Sequence, residues 1–169
     1  MKKKKDIKSP VENPLQPSLI HIVDFKIVKG QINSPFDFKS ENVQGYNFTV
    51  KFELGFNLAE KMVKADFSVN VETKSGTEVE EAIGAFDFVY IYYVDNIHDL
   101  ARLEEDQTIT LHESLGNSLA SITYSTSRGI LMSRFQGTIL KDFILPVINP
   151  NELLEQGKVY TNFQITSND

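Results

Sequence analysis

"AFDFVYIYYV", residues 85–94, is apolar on both parities: Phe86, Phe88, Tyr90 and Tyr92 on one, Val89, Ile91 and Tyr93 on the other. Successive side chains of a strand point to opposite faces, so such a run is either covered on both faces or offers its second face to a partner. Two preceding runs are different. Tyr46, Phe48, Val50, Phe52 and Leu54 alternate with Asn47, Thr49, Lys51 and Glu53, and Phe67, Val69 and Val71 alternate with Asp66, Ser68, Asn70 and Glu72. Each predicts a strand buried on one face and wet on the other. "KSGTEVEE", residues 74–81, is a glycine-containing acidic turn leading into the two-sided run.

Further upstream, "LIHIVDFKIV" (19–28) is β-rich but changes phase: Ile20 and Ile22 share one parity, Val23, Phe25 and Ile27 the other. A bulge near Val23 reconciles them. "GQINSPFDFKSENVQG" (30–45) is a long connection carrying two aromatics, Phe36 and Phe38. The rings either tuck under the loop as a satellite core or face a ligand.

Downstream, from about residue 111 to 135, Leu115, Leu119, Ile122, Gly129 and Ile130 fall at helical spacing. Ser118, Ser121, Thr123, Ser125, Thr126 and Ser127 are middling helix formers, so burial must hold this helix. Its small residues let another backbone approach, and Ser118, Ile122, Ser125 and Gly129 are the expected oligomer contact. "KDFILPVINP" (141–150) is extended, because residues before proline avoid the α region. Asn149 as N-cap and Pro150 at the first helical position start a short helix over 150–156, ended by Gly157. "KVYTNFQIT" (158–166) alternates Val159, Thr161, Phe163 and Ile165, which predicts an extra C-terminal strand.

The chain has 169 residues with 41% hydrophobic content, enough for one domain with a real core, expected over 19–169. A net charge of −6 argues against a duplex nucleic-acid binder. No cysteine is present, which excludes disulfides, thiolate metal sites and cysteine nucleophiles. "MKKKKDIKSPVENPLQPS" (1–18) is basic without the apolar stretch of a signal peptide, and is expected to be a disordered leader. No stretch reaches the roughly 20 apolar residues of a membrane helix. No membrane insertion and a cytoplasmic location are the expectations.

Catalytic patterns are sparse. His21, His98 and His112 lie far apart; Asp95, His98 and Asp99 could approach one metal in a loop, but three such residues read first as an ordinary hydrophilic connection. No metal site is expected. The acidic groups Glu78, Glu80, Glu81 and Glu104, Glu105, Asp106 read as solvated faces. No phosphate loop, nucleophile elbow or dinucleotide fingerprint occurs. Asn47 starts a glycosylation sequon that strand alternation explains. The chain is expected to be no enzyme and to need no cofactor.

"KFELGFNLAEKMVKADFSVNVETKSG" (51–76) and the series Tyr124, Arg128, Gly137, Thr138, Leu145, Pro146, Val147, Leu153 and Leu154 resemble the SecB protein-export chaperone family. The likeness runs from about residue 20 to 155 and is most specific over 137–147. It implies an α+β fold: a four-stranded antiparallel sheet, first strand beside fourth, with a long and a short C-terminal helix packed on one side. It also implies that the proline elbow swings the last helix over the crossover loop, leaving a groove for unfolded polypeptide. Phe36, Phe38, Tyr92, Leu153 and Leu154 are the expected groove wall.

The implied function is an ATP-independent holdase for unfolded or precursor polypeptides, serving protein export, as a homotetramer built as a dimer of dimers. The family's motor partner is SecA. Lys26, Lys29 and Asn33 stand where the family places acidic contacts to it, so polypeptide binding is better supported than motor docking. A dedicated partner chaperone, for a toxin–antitoxin pair or an assembly subunit, fits the same residues. A hot-dog thioesterase is the remote alternative, disfavoured because its long helix comes early and here follows four strands.

Overall fold

The alternation of the strands sorts their side chains onto two faces, of which the described helices cover one. The computed structural model describes residues 15–76, 80–156 and 161–162. In chain order they form β1 (Ile20–Asn33), β2 (Gly45–Asn57), β3 (Met62–Lys74), β4 (Ile83–Val94), α1 (Ile97–Leu100), β5 (Ala101–Leu103), β6 (Ile109–Leu111), α2 (Glu113–Arg134), α3 (Pro150–Gln156) and β7 (Thr161–Asn162). The main sheet has the order β1-β4-β3-β2-β7. Its four long strands are antiparallel, and β1 lies beside β4. The α+β architecture read from the sequence is therefore the one observed.

Phe52, Phe67 and Phe88 face one another across β2, β3 and β4, and Ile27 of β1 completes the row. All three rings are buried on the face that α2 covers. Tyr124 of α2 meets Phe67 edge-on at 5.6 Å. Tyr90 and Tyr92 send their hydroxyls up to Ser127 and Thr123, both at 2.8 Å. The poor helix formers of α2 thus satisfy buried tyrosines, which is how tertiary contact holds the helix.

β1 has two register shifts, between Ile22 and Asp24 and between Ile27 and Lys29. The first is the bulge expected at Val23. The second had no sequence signature, and together they keep Ile20, Ile22, Phe25, Ile27 and Ile32 opposite the covered-face residues of β4. The interior strand β4 offers its second face: Val89, Ile91 and Tyr93 are only half-buried.

His112 caps α2, its Nδ1 accepting from the Ser114 N–H at 3.3 Å. Beyond Phe135, Gly137 takes a φ of 75°, and Thr138 Oγ1 donates to the Phe135 carbonyl. The chain then returns along β2, where Phe143 packs on Tyr46 and Phe48. Asn149 caps α3, its Oδ1 accepting from the Asn151 N–H at 3.1 Å, as its sequence predicts. β7 pairs in parallel with Gly55 and Phe56 of β2. Gly157 and the remainder of the predicted tail strand lie outside the described residues.

One expectation needs correction, and several features stand outside the elements expected from the sequence. Leu15 packs against the core and Pro17–Leu19 forms a 3-10 turn. Residues 1–14 lie outside the described set. α1 and the β5–β6 hairpin were not foreseen; Asp106 is the hairpin's turn residue, accepting from Thr108 N–H and hydroxyl. Finally, Glu81 is no bystander. Its carboxylate accepts from Thr73 Oγ1 at 2.6 Å and from Ser75 N–H and Oγ at 2.7 Å each, tying the ends of β3 and β4 together.

Candidate polypeptide-binding surface

α2 lies over the middle of the sheet and leaves apolar surface bare on both of its flanks. On one flank the outer strand β1 exposes Ile22 and Phe25 on the helix side, and Val23 and Val28 elsewhere along its length. Beside them a cavity of about 280 Å³ opens between Pro17, Ile20, Ser118 and Ile122. On the other flank runs the elbow. Phe143 and Leu145 point into the core, while Ile144 and Val147 point out, Val147 being 82% exposed. Pro146 shifts the inside–outside pattern by one residue, which concealed Val147 from an alternation argument.

The elbow is fastened to α2 by one hydrogen bond, from the Tyr124 hydroxyl to the Pro146 carbonyl at 2.8 Å. Burial pushes the Tyr124 pKa up, with Arg128 opposing, so the hydroxyl stays a donor. Beneath the elbow a cleft of about 80 Å³ lies between Ser121, Tyr124, Arg128, Val147, Ile148 and Leu153.

The five residues expected as groove wall do not form one wall. Phe36 is fully exposed and Phe38 half-buried, in the crossover loop. That loop leaves β1 opposite Ile83 and enters β2 opposite Lys74, at the end of the sheet where β3 turns into β4. Leu154 is half-buried over Gly116, where an added Cβ would come within 3.2 Å of it, near the start of α2. The elbow does swing α3 back, but along α2 toward the other end of the sheet. Leu153 is buried, and Tyr92 is 0% exposed under α2. Burial pushes the Tyr92 pKa up to about 12, and its Thr123 hydrogen bond lowers it only partly. Tyr92 and Leu153 are core residues: the hydroxyl of the first already has its partner inside the subunit.

The expected oligomer contact runs along the outer side of α2. Ser118 and Ile122 are half-buried, Ser125 and Gly129 exposed. A Cβ at Gly129 would meet nothing within 4 Å, so small size there is not demanded by this subunit.

No group of three or more His, Asp or Glu stands close enough to hold a metal ion among the described residues. Asp95 instead pairs with Lys61 at 3.7 Å and accepts from the Tyr93 hydroxyl at 3.1 Å. Glu81, Glu104 and Asp106 are all held below the ordinary carboxylate range, chiefly by hydroxyl or guanidinium donors. That is the opposite of what a general acid needs. No described helix is long and apolar enough to cross a membrane.

No family model matches this sequence, and no curated protein matches it either. Solved structures do. One is the Mycobacterium tuberculosis Rv1957 SecB-like chaperone in complex with a ChAD peptide from the Rv1956 HigA1 antitoxin. It aligns at a TM-score of 0.50 and 15% identity, covering 78% of this chain and 91% of that one. A protein of unknown function from Streptococcus agalactiae aligns at 0.31 and 12% identity, covering 76% and 97%. With the first strand beside the fourth, a long helix across the sheet and a proline elbow before a short one, this chain has a SecB-like fold.

Proposed function

We propose that this protein is an ATP-independent chaperone that binds extended, unfolded polypeptide. The observation that carries this reading is the bare apolar surface on both flanks of α2: Ile22 and Phe25 on β1, Ile144 and Val147 on the elbow. The outer strand and the elbow display these side chains to water, which monomeric proteins keep in small patches unless something covers them. Apolar burial tolerates many client sequences, and strand edges add main-chain hydrogen bonds without regard to side chain. The SecB-like fold and the peptide held by the mycobacterial neighbour support the same reading. The protein acts without catalysis or cofactor, as a homo-oligomer with Ser118, Ile122, Ser125 and Gly129 in the contact, and Phe36, Phe38 and Leu154 supplement the client surface.

The test is aggregation of a chemically unfolded client, followed by light scattering without nucleotide. Suppression near a stoichiometric ratio is expected. Unchanged aggregation at several-fold excess of this protein would defeat the general holdase.

A second reading, a chaperone dedicated to one partner such as an antitoxin, is favoured by the mycobacterial neighbour, whose complex holds a peptide from an antitoxin. Suppression confined to a single co-purifying partner would select it.

A further inference from the structure

We propose that the cleft between α2 and the elbow is a subsite for an acidic side chain of the bound polypeptide, with Arg128 as the residue that reads it. This deepens the function proposed above and rests on it. Arg128 Nε is buried without a hydrogen-bond partner. A buried unpaired donor costs free energy that a partner recovers, and a carboxylate recovers most because guanidinium and carboxylate match as two parallel hydrogen bonds. Among the described residues Arg128 is the one cation that lines the cleft, and no carboxylate of theirs lines it.

The rest of the lining fixes the chemistry further. Val147, Ile148 and Leu153 are apolar, and Val147 stands at the open rim. The Tyr124 O–H donates its hydrogen bond to the Pro146 carbonyl, so it does not compete for an acceptor entering the cleft. A volume of about 80 Å³ takes a side-chain tip. Small-molecule pockets run to roughly 300 Å³ and more, so a free metabolite is the wrong size. The occupant that fits is an Asp or Glu within an otherwise apolar extended segment, its neighbours lying on Ile144 and Val147. Because the chain carries a net charge of −6, an acidic residue is unwelcome over most of the surface, and a preference for one is a local signature of Arg128.

The experiment uses two synthetic ten-residue peptides of alternating Leu and Ser that differ at one central position, Glu in one and Gln in the other. Fluorescence anisotropy with the full chain is expected to give about tenfold tighter binding of the Glu peptide, the worth of a charge-assisted pair. Arg128→Gln should abolish the preference, read as a ratio of the two peptides' affinities that falls to about one. Arg128→Lys, which keeps the charge on the same half-buried side chain, should retain part of it. Equal affinity of both peptides for the wild type, or a preference that survives Arg128→Gln, overturns the subsite while leaving polypeptide binding intact. Failure to bind either peptide overturns both. If Arg128→Gln changes the sedimentation coefficient of the unliganded protein and not the discrimination, the cleft is a contact between copies of this chain and the proposal falls.

Discussion

The hydroxyl of Tyr90 lies 2.8 Å from Ser127 Oγ, both buried, joining the centre of the sheet to the middle of α2. Removing one member strands the other in the core, at about 1–3 kcal/mol, whereas removing both leaves no polar atom unsatisfied. Ser127→Ala is therefore expected to destabilise clearly, and Tyr90→Phe combined with it to recover most of the loss. Urea midpoints for the two singles and the double measure the coupling; additive losses would show that the bond contributes nothing specific.

Glu81 sets an acid limit on the β3–β4 junction. Hydrogen bonds from Thr73 and Ser75 lower its pKa in the folded state. Its contribution is thus full above the ordinary carboxylate range and disappears as pH falls through the folded value. Glu81→Gln should lower the melting temperature at neutral pH, and its difference from wild type should shrink on acidification to about pH 3. A difference that stays constant with pH would assign the effect to packing.

Gly129 separates assembly from folding. Because an added side chain there meets open space and glycine is a poor helix former, Gly129→Leu should not lower the melting temperature of the dissociated subunit and should raise it slightly. The same bulk between two helices should weaken the oligomer, read as a fall in mass by analytical ultracentrifugation at micromolar concentration. A monomeric wild type would remove α2 from the interface.

The loop aromatics make unequal demands. Phe36 is fully exposed and Phe38 half-buried, so Phe36→Ser should barely shift stability, while Phe38→Ser forfeits part of the roughly 1.5–3 kcal/mol of a buried ring. If both contact client, each variant should lose peptide affinity in proportion to its exposed ring. A melting-point loss at Phe38 with affinity unchanged would make it satellite core.

Much of the scaffold was legible because it rests on short-range rules. The two-sided run of β4, the alternation of β2 and β3, the Asn149–Pro150 start of α3 and the bulge at Val23 all follow from local side-chain geometry. What escaped was the pairing of polar groups across distance. Tyr90 and Tyr92 stand two apart on a strand, and Ser127 and Thr123 four apart on a helix, so both pairs share a face and meet. Sequence spacing holds that match, but Ser and Thr in a helix read first as weak formers. For the same reason Tyr92 was taken for groove wall: aromatic character does not say whether a hydroxyl finds its partner indoors. The role of Glu81 is not local either, because its donors, Thr73 at the end of β3 and Ser75 just beyond it, lie six to eight residues away.

The double bulge of β1 bears on a hazard that any protein displaying apolar strands must meet. Fibrils grow by stacking flat, regular strands edge to edge, and β1 is a long outer strand with Ile22, Val23, Phe25 and Val28 in contact with water. Two extra residues bend and twist its edge, so a second strand cannot follow it hydrogen bond by hydrogen bond through an unbroken ladder. The described strand with the most exposed large apolar side chains is thereby a poor template for amyloid.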